Sequence, residues 1–153
     1  MKVTTTSKKG KDLIKKYEGF KAKPYLCPAK VPTIGYGATY YPDGRKVKLT
    51  DSAISEGFAT NLLEVMLTPY EKAVDSFCRD DINQNQFDAL VSFAYNLGVT
   101  ALKGSTLLKK VNINPNDKTI RNEFLKWVNA RKKILPGLVK RRTEESDLYF
   151  SQL

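Results

Sequence analysis

Histidine is absent from the 153 residues. This removes Ser-His-Asp and Cys-His catalysis, and any zinc or haem held by imidazole. Cysteine is scarce: Cys27 and Cys78 are too few for a zinc site or a disulfide framework. Long apolar runs are missing. The longest, such as Leu62 to Leu67, fall far short of a membrane span. The first twelve residues contain neither the apolar stretch nor the cleavage site of a secretory signal. These absences predict synthesis in the cytoplasm, both thiols reduced, and no transmembrane segment.

Negative charge is also in deficit. Sixteen Asp and Glu stand against 26 Lys and Arg, a net charge of +10 and a pI near 9.6. The excess is spread over the chain, with nine lysines in residues 1–30 and nine Lys or Arg in residues 118–142. It exceeds the ~2–8 usual for a small domain. Such a surface attracts polyanions, whether nucleic acid, anionic lipid or acidic wall polymers. With 41% hydrophobic and 27% charged residues, the composition is globular. A chain of this length buries roughly 70% of its unfolded surface and needs no metal or disulfide to fold.

The patterning predicts a first helix from Lys8 to Tyr17 or Glu18, with Ser7 as its cap and Gly19 as its stop. Residues 21–50 change texture. Pro24, Pro28 and Pro32 precede the β-branched and aromatic run Thr33 to Tyr41, which reads as strand. Pro42-Asp43-Gly44 is a turn signal, and Arg45 to Leu49 reads as the returning strand. Beyond Thr50 everything reads as helix. One stripe runs from Ala53 to Met66, and a new helix is expected at Pro69. Asn83 and Gln86 form a capping box before the most regular stripe, Phe87 to Leu97, which ends at Gly98. Further helices are expected at Ser105 to Val111, from Asn116 or Asp117 to a break at Pro136-Gly137, and from Leu138 to Phe150. Cys78 and Trp127 read as packing residues. The fold class is α+β and predominantly helical, with a small antiparallel β lobe (about 19–50) and a larger helical lobe (about 1–18 plus 51–153). A cleft between two such lobes is a natural ligand site.

Without histidine, acid–base chemistry falls to carboxylates, thiols, Lys or Tyr. Glu18, Cys27 and Thr33 stand at fixed spacing in the segment of changed texture. Helix C-terminal carbonyls and the neighbours Tyr17 and Phe20 both favour the protonated form of an acid at position 18. Taken singly, Glu18 reads equally as a surface charge, Cys27 as a small buried hydrophobe and Thr33 as a strand residue. The Gly35-Tyr36-Gly37 run adds a place where a polymer approaches the backbone closely.

The Glu, eight residues, Cys, five residues, Thr pattern resembles the catalytic pattern of the phage-type lysozymes, the endolysins of glycoside hydrolase family 24. Pro32 to Gly37, Gln84 to Gly98, Ser105 to Leu108 and Pro136 to Glu145 resemble later family segments in the same order, from about Lys11 to Phe150. The resemblance implies a lysozyme-like fold. It also implies hydrolysis of the β-1,4 bond between N-acetylmuramic acid and N-acetylglucosamine in bacterial peptidoglycan. On this reading Glu18 is the general acid, and Cys27 and Thr33 position or activate water. Gly35, Tyr36, Gly37, Asn96, Ser105 and Thr106 are candidates to line the saccharide cleft. Each has a plainer reading as a turn glycine, core tyrosine or helix cap. Arg141 and Arg142 pair with Glu145 or Asp12 or approach the cleft, the i,i+4 pair Arg141–Glu145 being preferred. No cofactor or metal is expected. Peptidoglycan and the anionic cell envelope are the expected partners, with no specific nucleic acid, and the protein is expected to be a monomer. Access to the wall is expected through a separate holin. Three alternatives stay open: a lytic transglycosylase on the same substrate, a basic nucleic-acid-binding module, and a membrane-active basic segment within Lys118 to Arg142.

Overall fold

The computed structural model describes residues 2–130 and 132–152. Helix α1 (Lys8–Glu18) has the predicted span. Gly19 stops it at φ 73°, where a side chain is unfavourable, and its N–H donates to the Lys15 carbonyl at 2.9 Å. Ser7 occupies the cap position, its carbonyl accepting from Lys11 N–H at 3.0 Å. Its side chain does not cap; the hydroxyl and the N–H both donate to the Asp88 carboxylate.

Strands β1 (Lys21–Leu26) and β2 (Pro32–Gly35) form an antiparallel pair, with Tyr25 opposite Thr33 and Leu26 opposite Pro32. The pairing is irregular between Lys21 and Tyr25, where Pro24 has no N–H to offer. The expected strand from Thr33 to Tyr41 is shorter. Gly35 and Gly37, at φ 67° and 94°, fold it into a turn closed by an Ile34–Ala38 bridge. The expected return strand at 45–49 is reduced to one bridge, Tyr40 to Lys46. A side chain at Gly35 would also crowd Ala59, its Cβ lying 3.2 Å from that of Ala59.

Helix α2 (Glu56–Phe77) overturns the expected break, because Pro69 lies inside it. Proline removes the bond to the carbonyl four residues earlier. That residue, Val65, is half-exposed, so water can satisfy the orphan. The expected start at Ala53 is also too early. Helix α3 (Gln84–Leu97) has the predicted capping box and stops at Gly98, φ 98°. A short helix α4 (Val99–Lys103) was not expected. Ser105 caps α5 (Thr106–Ile113). Helix α6 (Ile120–Leu125) begins later than Asn116 or Asp117. The Asp117 carboxylate instead holds a turn, accepting from Thr119 N–H at 2.9 Å and Thr119 Oγ1 at 2.7 Å. Between α6 and α7 an unforeseen hairpin pairs β3 (Asn129–Ala130) with β4 (Lys133–Ile134). Pro136 does not precede the last helix but opens it, as the first-turn residue of α7 (Pro136–Phe150).

The chain divides into two compact units, one holding the residues up to Leu13 and from Pro69 onward, the other Ile14–Thr68. The second takes in the end of α1 and the first part of α2 as well as the β segment. One core cluster in it is Ile34, Ala38, Val47 and Leu62, joined by Tyr41, Ile54 and Met66. Each large apolar side chain fully buried contributes roughly 1.5–3 kcal/mol.

In the other unit α3 packs on α7 and α6 packs on α7. Phe93 meets Phe124 and Trp127 edge to face, and Phe124 meets Tyr149. Beside this cluster Arg141, Arg142 and Glu145 are buried. Glu145 receives Arg142 Nη1, Arg141 Nε at 3.3 Å and the Ser92 hydroxyl. The N-terminal segment is tied to the same unit. Thr6 N–H and Oγ1 each donate to Glu71 at 2.7 Å, and Gln84 donates to the Thr5 carbonyl at 2.8 Å. Gly10 fits against Asp88 and Thr6 so closely that an added Cβ would lie 2.7 Å from both side chains. Both cysteines are free, Cys78 buried and Cys27 half-buried. No helix among the described residues is long and apolar enough to cross a membrane.

Candidate active site

Six of the nine candidate site residues fall in the Ile14–Thr68 unit: Glu18, Cys27, Thr33, Gly35, Tyr36 and Gly37. Glu18 is the last residue of α1 and is half-buried. Gly19 turns the chain directly into β1, so the helix end and the strand pair are joined by two residues. Cys27 follows β1 at the mouth of a tight loop. Its N–H donates to the Val31 carbonyl at 3.1 Å, and Lys30 N–H donates to the Cys27 carbonyl at 2.8 Å. Lys30 takes a left-handed conformation, φ 62°, to close it.

This loop turns donors toward the Cys27 sulfur. The Val31 N–H, then that of Ala29 and the Thr33 hydroxyl, hold the thiol below its ordinary value against the opposing effect of burial. Thr33 is buried in β2, and its hydroxyl also donates to the Val31 carbonyl at 2.8 Å. A hydroxyl has one proton, so Thr33 can turn it to the carbonyl or to the sulfur. Ionisation of Cys27 favours the second orientation.

Tyr25 was not among the sequence candidates. It pairs with Thr33 across the strands. Its phenol is pushed up by burial first, and then by the negative charges of Cys27 and Glu18. One hydroxyl therefore feels both acid–base candidates. The signal available in sequence was its position two residues before Cys27 in a strand, which puts both on one strand face in a regular ladder.

Tyr36 is a core residue by placement. It is 4% exposed, its hydroxyl donates to Glu56 at 2.8 Å, and Phe20 and the Lys15 ammonium lie against its ring at 5.8 and 5.5 Å. Gly35 and Gly37 form the turn on either side of it. Cys27 also lines a groove of about 510 Å³ whose walls include Val31, Pro32, Thr39 and Tyr40.

Asn96, Ser105 and Thr106 belong to the other unit. Asn96 ends the buried polar network, its side-chain oxygen accepting from Arg142 Nη2. Ser105 is buried and fully used as a cap, accepting from Leu108 N–H at 3.0 Å and donating to the Leu102 carbonyl at 2.7 Å. Thr106 is exposed. Among the described residues no group of three or more Cys, Asp or Glu could hold a metal ion.

Residues 15–145 match the sequence profile of the Phage lysozyme family. The chain is 43% identical over 147 residues to an endolysin of Bacillus phage B103, covering 95% of this chain and 54% of that protein. It thus spans about half the length of that relative. It is 37% identical over 149 residues to an endolysin of Acyrthosiphon pisum secondary endosymbiont phage 1, covering 95% of this chain and 97% of the relative. Among solved structures, an endolysin from Escherichia coli O157:H7 phage FAHEc1 superposes with a TM-score of 0.87 at 34% identity, over 98% of this chain and 96% of that one.

Proposed function

Because the chain belongs to the phage lysozyme family, we propose that it is an endolysin that hydrolyses the β-1,4 bond between N-acetylmuramic acid and N-acetylglucosamine in bacterial peptidoglycan. The observation that carries the site assignment is the placement of Glu18, at the end of α1 and separated from β1 by two residues, in one unit with Cys27, directly after β1, and Thr33, paired across the strands with Tyr25. Glu18 donates its proton to the glycosidic oxygen as the bond to the anomeric carbon breaks. Water adds to that carbon and gives up a proton to the Cys27 thiolate, while Thr33 orients the water or the sulfur. The donors around the Cys27 loop support this role, because they favour the thiolate, the form of Cys27 that can accept a proton.

Gly35 and Gly37 serve the substrate through their backbone. Thr106, which is exposed, contacts glycan; Asn96 and Ser105, whose polar atoms are engaged within the fold, contribute only through the surface they support. The enzyme works as a monomer, without cofactor. Its net charge of +10 concentrates it on the anionic envelope, and a separate holin gives it access to the wall.

The test is the loss of turbidity of purified peptidoglycan with wild type and Glu18→Gln. Clearing by the wild type that falls at least ~100-fold in the variant, as general-acid removal does, supports the assignment. Equal clearing by both would remove Glu18 from the role. Product mass separates hydrolysis from transglycosylation, since only the former adds water.

A further inference from the structure

We propose that the hollow between the 41–45 turn and the start of α2 is a second saccharide site, separate from the Cys27 groove, which holds an uncharged N-acetylhexosamine unit of the glycan strand, a ligand that rests on the muramidase reading above. The hollow encloses about 380 Å³ and shares no wall residue with the groove at Cys27. One hairpin separates the two. Tyr40 and Lys46 bridge each other and line the Cys27 groove. The next residues toward the turn, Tyr41 and Arg45, are joined by Tyr41 N–H to the Arg45 carbonyl at 2.9 Å and line the hollow. Successive residues of extended chain point to opposite faces, so this hairpin carries a wall of each. Both lie in the Ile14–Thr68 unit.

The lining meets the demands of a pyranose. A sugar ring has an apolar C–H face and a rim of hydroxyl and amide groups that donate and accept. Phe58 offers the flat apolar surface: it is 43% exposed, while Ala59, Leu62 and Leu63 carry the buried face of α2. Arg45 supplies donors, and the hydroxyls of Thr50 and Ser52 donate or accept. Among the described residues neither hydroxyl is bonded to a protein group. The polar wall is set before a ligand arrives. The Tyr41 hydroxyl donates to Asp51 Oδ2 at 2.6 Å and Lys48 N–H to the same oxygen at 2.9 Å, which leaves Oδ1 to accept from a ligand. The Arg45 guanidinium lies 4.7 Å from the centre of the Tyr41 ring. An anion fits less well, because Asp43 stands 3.6 Å from Arg45 Nε and the Asp51 carboxylate is itself part of the wall. A strand held in this hollow keeps the enzyme on the wall while the Cys27 groove exchanges one strand for the next.

The experiment follows backbone amide shifts of the Glu18→Gln chain, chosen to leave the ligand intact, during titration with the stem-free tetrasaccharide of alternating N-acetylglucosamine and N-acetylmuramic acid. Two sets of shifts are expected, one at Cys27 and Thr33 and one at Arg45 and Ser52, each with its own Kd. Phe58→Ala should weaken the second by about two- to tenfold, the range for losing one aromatic stacking contact, and leave the first unchanged; Phe58→Trp should restore it. Ser52→Arg, at an exposed position, should fill the hollow and abolish the second set in a chain whose fold the first set reports. Shifts confined to Cys27 and Thr33 would overturn the proposal and leave the muramidase reading in place. So would a second set unmoved by Phe58→Ala and Ser52→Arg, or one produced equally by glycerol phosphate, which would make the hollow an anion site. No shifts in either set would refute the muramidase reading, and this proposal with it.

Discussion

Replacing Glu145 with Gln should destabilise the protein more than any surface charge change. Glu145 is 0% exposed and takes bonds from Arg141, Arg142 and Ser92, while the two arginines are 3% and 0% exposed. Burial works against the Arg142 charge, and Glu145 is what sustains it. Gln keeps the shape and one acceptor oxygen but removes the charge that sustains the buried Arg142 guanidinium. Breaking a buried pair from one side costs about 3–5 kcal/mol, and the retained oxygen places this variant near the lower end. At about 2–4 °C per kcal/mol for a chain of this size, ~3 kcal/mol lowers Tm by roughly 6–12 °C. The control is Asp12→Asn, which breaks a 2.7 Å pair with Lys8 whose side chains are 89% and 51% exposed; such pairs contribute about 0.3–0.5 kcal/mol. Urea unfolding followed by fluorescence of the single tryptophan is the assay. Trp127 packs on Phe93, and its carbonyl accepts from Arg142 at 3.0 Å, so the probe sits in the perturbed region. A Glu145→Gln loss below about 1 kcal/mol, or equal to that of the control, would refute the reasoning.

Other outcomes are expected. Cys27→Ala should lower the hydrolysis rate by roughly 10²-fold or more if the thiolate is the base, leaving urea stability unchanged; an unchanged rate would end that role. Because the Cys27 thiol is held below its ordinary value, activity should rise with pH as the thiolate forms, at lower pH than for a free thiol. Cys27→Ser should lose that rising limb, and a pH–rate profile reads it directly. Iodoacetamide at neutral pH should alkylate Cys27 well before Cys78, whose burial pushes it up to about 12; peptide mass spectrometry with Cys78 modified first would contradict this. The same burial makes stability fall as pH rises above the ordinary thiol range, since unfolded Cys78 releases its proton there and folded Cys78 does so only near 12. Gly10→Ala should cost about 1–3 kcal/mol by overpacking, because its Cβ would meet Asp88 and Thr6 at 2.7 Å.

Local signals identified α1 and α3 well. Gly19 and the Asn83–Gln86 box act on their own neighbours, and the structure uses both as expected. Pro69 misled because a proline's effect depends on what happens to the carbonyl it deprives, and the exposure of Val65 is a tertiary property. The run after Thr33 looked like strand by propensity, but two glycines at positive φ converted it to a turn. Ser7 shows the same limit: its side chain serves Asp88, 81 residues away, instead of the adjacent helix. The spacing of Glu18, Cys27 and Thr33 is readable in the sequence as a candidate site, whereas the place of Tyr25 opposite Thr33 comes from strand register. Tyr36 and Ser105 are cleft candidates by pattern; their hydroxyls bond Glu56 and cap α5, which leaves the ring and the backbone for the cleft.

The bonds from Thr6 to Glu71 and from Ser7 to Asp88 also bear on the order in which the molecule is made. Residues 14–68 are contiguous, so that unit has every residue it needs once Thr68 leaves the ribosome. The first thirteen residues belong to the unit completed last. At about 5–20 residues per second, Ser7 waits roughly 4–16 s for Asp88 to be added to the chain. The nascent N-terminus must therefore remain uncommitted while a later segment forms the unit next to it in sequence. Shortening the chain at its start would accordingly weaken the unit built by its end.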